Sequence, residues 1–256
     1  MDPFRSFAES LALGAGDILR RHQGQPLHIE YKGTIDLVTE VDRESEAYLR
    51  ARIAEAYPDH QILGEEEGLA GAESPFRWLV DPVDGTTNYA HGFPYYCVSV
   101  GLEFEGRIIA GAVYNPCLDE LFSADLGGGA TCNGRPIQVS DIDELRRSLL
   151  TTGFPYSVIE EGNNLPHFAR FLHQCQAVRR AGSAALDMCN VACGRYDGFW
   201  EYGLSPWDMA GGSIILTEAG GRISDYQGRP FNLYGKELLA SNGPMHGPMM
   251  DVLREP

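Results

Sequence analysis

Apolar positions recur at helical spacing from the start of the chain. Phe4, Phe7, Ala8, Leu11, Ala15, Ile18 and Leu19 share one face, and the run ends near Gly24. A second amphipathic stretch follows Asp36-Leu37-Val38-Thr39, with Val41, Ser45, Tyr48, Ile53 and Ala56 on one face and Pro58 as its stop. Thr39 and Asp42 stand at the spacing of an N-cap pair. The period then drops to two: alternation predicts strands over 96–104 and 108–114, joined through Glu105-Gly106, and Asn133-Gly134 marks a tight hairpin turn. The first half therefore reads as two helices on an antiparallel sheet. From Leu149 the order becomes strand, helix (about 164–175), helix (about 183–193), strand (198–201), helix, strand, which is α/β-like. A soft boundary at 141–148 divides an N-terminal α+β lobe, 1–145, from a C-terminal α/β lobe, 146–256. With no Pro- or Ser-rich linker and no internal repeat, the lobes are expected to pack as one unit.

Composition narrows the picture. With 43% hydrophobic and 22% charged residues, the chain of 256 residues is ordinary globular protein. It has no apolar run near 18 residues, and its N-terminal segment is already amphipathic after Asp2-Pro3, so a cytoplasmic protein without membrane contact is expected. The six cysteines form no C-x-x-C pair and read as free thiols. Cys189 and Cys193 share a helix face, but Met188, Val191 and Ala192 beside them favour core packing over a zinc site. A net charge of −16 excludes a nucleic-acid surface, which needs clustered Lys and Arg. Gly127-Gly128-Gly129 lacks a following Lys-Ser or Lys-Thr and reads as a loop and not a phosphate-binding P-loop.

The chemistry concentrates in Trp78-Leu79-Val80-Asp81-Pro82-Val83-Asp84-Gly85-Thr86-Thr87-Asn88, where an apolar strand runs into two acids and a glycine-threonine turn. A strand end is a rigid mount for acids, and Pro82 fixes φ between them. Gly85 permits a tight turn, and the N–H groups of Gly85, Thr86 and Thr87 open a predicted helix whose N-terminus and dipole favour phosphate. An Asx turn capping a helix accounts for one Asp-Gly pair, but not for two acids, a proline and two hydroxyls together. Two more segments set an acid at an element boundary. In Ile62-Leu63-Gly64-Glu65-Glu66-Glu67-Gly68 a short strand ends at Gly64, and in Pro206-Trp207-Asp208-Met209-Ala210-Gly211-Gly212 Asp208 precedes an apolar helical run that stops at Gly220-Gly221. Such an all-oxygen set selects Mg²⁺ or Mn²⁺ over zinc. Clustered carboxylates also demand cations, since each pair at 4 Å repels by about 4 kcal/mol at an effective dielectric near 20.

GEEE at 64–67, DPVDGTTN at 81–88, AGSAALDM at 181–188 and PWDMAGGSIILTEAGG at 206–221 make the chain resemble the inositol monophosphatase family, in family order and over nearly the whole length. The TGFPY run at 152–156 is similar to the bacterial branch. The resemblance implies an α/β (α+β) fold, a layered α-β-α-β-α sandwich of the inositol monophosphatase and fructose bisphosphatase type, as a homodimer. It implies a Mg²⁺-dependent, Li⁺-sensitive phosphomonoesterase acting on myo-inositol monophosphate through metal-activated water. By the same resemblance Glu65, Asp81 and the carbonyl of Val83 hold one ion, Asp81, Asp84 and Asp208 hold a second, and a third, weaker ion lies near Glu65. Mn²⁺ is expected to substitute for Mg²⁺. Thr86 would orient the attacking water with Asp42 behind it, and Glu65 is a candidate base. Asp84, Gly85, Thr86, Gly182, Ser183, Ala184 and Glu201 align with substrate-binding positions, Lys32 with a lysine near the metals, and Glu66 with a group orienting water.

Plainer readings stand beside these. Asp42 serves equally as the acid of a capping box, Lys32 as a solvated surface lysine, His91 as a surface residue, and Glu201 as a solvent-facing strand end. The phosphoaspartyl phosphatases also put Asp-Gly-Thr after a strand, but need D-x-D where this chain has D-x-x-D. Fructose bisphosphate, a nucleotide 3′-phosphate or histidinol phosphate would suit the same chemistry. A regulatory binding role in transcription is a further alternative, though one that needs no intact ligand set.

Overall fold

The computed structural model describes residues 2–26, 28–31, 37–155 and 164–255. Helix α1 (Pro3–His22) starts at Asp2, whose carboxylate accepts the Phe4 N–H at 2.7 Å, with proline in the first turn. After the two-stranded ribbon β1 (Ile29–Tyr31) and β2 (Leu37–Thr39), helix α2 (Glu40–Ala56) opens with the expected capping box between Thr39 and Asp42. The expected apolar face of α2 needs correction. Val41, Ser45 and Ile53 are buried, but Ala56 is exposed, and Asp42, Glu46 and Arg50 are buried in its place. This face meets polar backbone at the end of a sheet and not only hydrocarbon.

Strands β3 (Gln61–Gly64), β4 (Gly68–Ala70), β5 (Phe76–Asp84), β6 (Cys97–Phe104), β7 (Arg107–Asn115), β8 (Glu120–Asp125), β9 (Gly129–Cys132) and β10 (Arg135–Pro136) form one sheet in the order β10-β9-β8-β7-β6-β5-β3-β4. The hairpin turns fall where expected, with positive φ at Glu105 and Gly106 and at Asn133 and Gly134. The sheet is not purely antiparallel, however: β3 and β5 run parallel, with Gly64 beside Val80. The helix expected after Gly85 is the short α3 (Thr86–Ala90), five residues long.

The second sheet holds β11 (Leu149–Thr152), β12 (Ala177–Arg179), β13 (Gly198–Tyr202), β14 (Arg222–Ser224) and β15 (Glu237–Ser241) in the order β12-β11-β13-β15-β14. Among the described residues four helices accompany it: α4 (Leu165–Gln174), α5 (Ala184–Ala192), α6 (Pro206–Glu218) and α7 (His246–Arg254). Alternation along single strands assigns the layers. On β5, Trp78 and Val80 enter a core with Leu11, Leu49 and Ile53 from α1 and α2, whereas Leu79 enters one with Met188, Phe199 and Ile215. On β13, Phe199 faces that middle core, while Trp200 packs with Leu150, Phe171 and Met249 beneath α4 and α7. The result is the α-β-α-β-α sandwich, with α5 and α6 buried between the sheets.

That middle layer is thin because glycine lets backbones meet. A Cβ at Gly101 of β6 would lie 2.5 Å from the Cβ of Ala210, and one at Gly211 of α6 would lie 2.8 Å from Ser99 Oγ. Among the described residues no helix is long and apolar enough to cross a membrane.

Candidate active site

Parallel pairing explains why Glu65 and Asp81 are neighbours. Gly64 pairs with Val80, so Glu65, the first residue past the end of β3, follows beside Asp81 of β5, one strand spacing of about 4.8 Å away. The β5–β6 ladder then slips between Asp81 and Asp84, a bulge that accommodates Pro82 and re-aims the second acid. The Pro82 carbonyl accepts from Ser45 Oγ of α2 at 3.0 Å, and the Val83 N–H donates to Asp81 Oδ1 at 3.0 Å.

Asp208 arrives from the other half of the chain. Its Oδ2 accepts the Ser205 N–H at 2.8 Å, closing a capping box at the start of α6, so the helix-cap role is realised. The same helix lies against β6, where Ser99, the ladder partner of Asp81, has its Oγ 3.5 Å from the Trp207 carbonyl oxygen. The tight glycine packing thus carries Asp208 to the carboxyl end of β5. Asp84 is fastened to α5: its Oδ2 accepts from Ser183 Oγ and from the Ala185 N–H, each at 2.7 Å. Gly85, at φ 97°, lets the turn press on the Gly182 carbonyl, 3.1 Å from where a Cβ would stand.

These segments enclose a cavity of about 500 Å³ lined by Glu65, Asp81, Val83, Asp84, Gly85, Thr86, Gly182, Ser183, Ala184, Glu201 and Asp208 among others. Asp42 does not line it. It sits fully buried behind Thr86, whose Oγ1 lies 3.0 Å from Asp42 Oδ1 and 2.9 Å from the Val83 carbonyl, while Thr39 supplies both its N–H and its hydroxyl to the other oxygen. The capping and Thr86-facing readings of Asp42 therefore coexist. Glu66 is not in the lining, and its N–H turns to Glu46. Lys32 lies outside the described residues. His91 is exposed, and the Gly127–Gly129 loop closes on a carboxylate of the protein's own, Glu218, through the N–H groups of Gly127 and Gly129.

The electrostatics are those of acids short of positive charge. Burial, then the charges of Glu65, Asp84 and Asp208, push the Asp81 carboxyl well above the usual carboxylate range. Burial and the Asp84 charge push Asp208 up to about 7. Among the described residues no three Asp, Glu, His or Cys side chains close into a tight cluster, and Asp81, Asp84 and Asp208 are each steered by a protein donor. The donor set is nevertheless all hard oxygen, including the Val83 carbonyl, and its mutual repulsion is what divalent cations relieve; the residues fit such ions.

Several lining residues escaped the sequence reading. Asp187, 1% exposed in the first turn of α5, accepts from Tyr95 Oη at 2.7 Å, and burial pushes its carboxyl up to about 8. An acid inside the apolar run Ala184-Ala185-Leu186-Asp187-Met188 was the signal available. Arg180, Trp207 and Gly153 also line the cavity, and a Cβ on Gly153 would meet Glu201 Oε2 at 2.1 Å.

A five-layer sandwich with an acid-lined cavity at the carboxyl ends of one parallel strand pair is the architecture of a phosphatase family, and comparison with known proteins says which. The profile of the inositol monophosphatase family matches residues 1–254, and the chain belongs to that family, whose members use divalent metal ions. It is 47% identical over 249 residues to an inositol-1-monophosphatase of Synechocystis sp., covering 96% of this chain and 87% of that one. It is 40% identical over 250 residues to the Nus factor SuhB of Pseudomonas aeruginosa, covering 94% and 92%. The crystal structure of the extragenic suppressor protein suhB from Bartonella henselae superposes with a TM-score of 0.94 at 37% identity, covering 99% of each chain.

Proposed function

We propose that this chain is a Mg²⁺-dependent phosphomonoesterase that hydrolyses myo-inositol monophosphate to inositol and phosphate. The observation that carries the reading is the convergence of Glu65, Asp81, Asp84 and Asp208 on one cavity from three separate segments. Glu65, Asp81 and the Val83 carbonyl would hold one ion, and Asp81, Asp84 and Asp208 another, with Mn²⁺ able to substitute. When bound, such ions supply charge neutralisation, activation of water and stabilisation of the leaving oxygen.

The protein's own groups then have separable tasks. Thr86 Oγ1, held between Asp42 and the Val83 carbonyl, orients the attacking water; Glu65 and the Thr86–Asp42 pair are the candidates for taking its proton. Because α3 is so short, what Gly85 and Thr86 offer phosphate is individual N–H groups more than a helix dipole. Glu201, with Gly182, Ser183 and Ala184, faces the polyol hydroxyls. Burial first, then the charges of Asp187 and Asp208, hold the Glu201 carboxyl well above its usual range, which suits a group that donates as well as accepts. The same reading includes Li⁺ inhibition and a homodimer, which rest on the family resemblance, and a cytoplasmic location and a division into lobes at about residue 145, which rest on the composition and on the change of pattern along the chain.

Exhaustive chelation should abolish phosphate release, and Asp208→Asn tests the shared site. Asparagine keeps the shape and the acceptor for the Ser205 N–H, so metal-free melting should barely move. Turnover should fall by orders of magnitude, with a raised Mg²⁺ requirement. Near-parental turnover at low Mg²⁺ would leave Asp208 a helix cap and nothing more. The similarity to a protein named a Nus factor favours a second, regulatory role. In that case Asp208→Asn would lose hydrolysis and keep partner binding.

A further inference from the structure

The turn that carries Glu65 is held from beneath by a carboxylate that the chemistry above does not use. Glu46 lies on α2 and is 1% exposed. Its Oε2 accepts the Glu66 N–H at 2.7 Å, and its Oε1 accepts the Glu67 N–H at 2.9 Å and Arg50 Nε at 2.7 Å. Arg50 Nη2 in turn donates to the Gly68 carbonyl at 2.5 Å. Gly64 closes the arrangement, since a Cβ there would lie 2.5 Å from Glu46 Oε1. Residues 64, 66, 67 and 68 are thus all seated on one carboxylate–guanidinium pair, with Glu65 between them.

The same helix face touches the rest of the site. One turn earlier, Asp42 meets Thr86, and Ser45 donates to the Pro82 carbonyl. Asp42, Ser45, Glu46 and Arg50 follow helical spacing, so a single rigid element fixes two segments of the cavity, the 82–86 stretch and the 64–68 turn, relative to one another. A buried ion pair is poor evidence of stabilisation by itself, because desolvation offsets the attraction. The backbone donors and acceptor it satisfies belong to the turn around a candidate metal ligand.

We propose that Glu46 is a positioning residue for Glu65: its carboxylate fixes the 64–68 turn so that Glu65 shares an ion with Asp81. The proposal rests on the reading of Glu65 and Asp81 as metal ligands. Glu46→Gln keeps the length of the side chain but leaves one acceptor oxygen for three donors. Three measurements on the full chain decide it: Mn²⁺ binding followed by the electron paramagnetic resonance of free Mn²⁺, hydrogen exchange at the Glu66 and Glu67 amides, and turnover of inositol monophosphate against Mg²⁺ concentration. Removing such a support costs about 10–100-fold in metal affinity. Mn²⁺ affinity should fall in that range and the half-saturating Mg²⁺ should rise with it. The KM for the ester should hold within about twofold and saturating Mg²⁺ should restore most of kcat, since only the ion is mispositioned. The two amides should exchange faster. Parental Mn²⁺ affinity in the variant, whatever the exchange, overturns the proposal, as does weakened affinity with unchanged exchange. A parent protein that binds no Mn²⁺ overturns the ligand reading first, so the two failures are distinct. If Glu46→Gln does not fold, Arg50→Lys removes the guanidinium bond to Gly68 and should give the same shift in smaller measure; parental affinity there is equally fatal.

Discussion

Gly101→Ala puts the joint between α6 and the large sheet to the test without touching a side chain of the site. The new Cβ would stand 2.5 Å from the Ala210 Cβ and 3.0 Å from the Ala210 carbonyl carbon. Carbon atoms rest about 3.5–4.0 Å apart, so helix and sheet have to part by about 1 Å. Neither can yield cheaply, because Ala210 is buried in the middle core and Gly101 pairs with Leu79 on one side and Gly111 on the other. Overpacking of this kind costs about 1–3 kcal/mol. For a chain of this size that lowers Tm by roughly 2–12 °C. Asp208 stands two residues before Ala210 and moves with it, away from Asp81. A displacement of about 1 Å in a catalytic constellation costs about 100-fold in rate. Melting curves and phosphate release against Mg²⁺ concentration check both halves, with Gly247→Ala as the reference. No atom lies within 4 Å of that Cβ, and replacing a helical glycine there should stabilise by about 0.5–1 kcal/mol. If Gly101→Ala melts lower but keeps parental turnover at low Mg²⁺, the seam does not set Asp208, and the reasoning fails.

Glu201→Ala should reduce kcat/KM for inositol monophosphate far more than for a simple aryl phosphate, since Glu201 is assigned to the polyol; equal losses would refute that assignment. Gly153→Ala, which crowds the Glu201 carboxylate, should shift selectivity the same way, measured on the same two esters. His246 predicts a pH dependence of stability. It is fully buried, its Nδ1 is 2.9 Å from Ser241 Oγ and its Nε2 2.8 Å from Ser224 Oγ, and burial pushes its pKa down to about 4. The unfolded chain, with an ordinary histidine near 6.5, binds the proton first, so this contribution is complete above pH 6.5 and is lost as pH falls through 4. The loss is at most about 3 kcal/mol, and His246→Gln should remove it from denaturant melts compared at pH 7.5 and 4.5. A variant whose stability falls with pH as steeply as the parent's would refute it.

Local physics was legible in the chain. The period of α1, the Thr39–Asp42 capping box, the Glu105-Gly106 and Asn133-Gly134 turns and the strand running into Asp81-Pro82-Val83-Asp84 each depend on residues a few positions apart, where spacing and backbone preference decide the conformation. Tertiary structure decided which of these meet. The parallel register of β3 on β5 brings Glu65 beside Asp81, yet Ile62-Leu63-Gly64 is compatible with either strand direction. The buried polar face of α2 has no signature along the chain, because Glu46 and Arg50 become interior residues only when the 64–68 turn folds over them. Gly101, Gly111 and Gly211 read as ordinary glycines until helix and sheet are in contact, and Asp187 reads as a helix acid until Tyr95 closes on it. Pattern along a chain records what each residue prefers, whereas burial of a charge and close approach of two backbones are properties of pairs, and those pairs lie tens to more than a hundred residues apart.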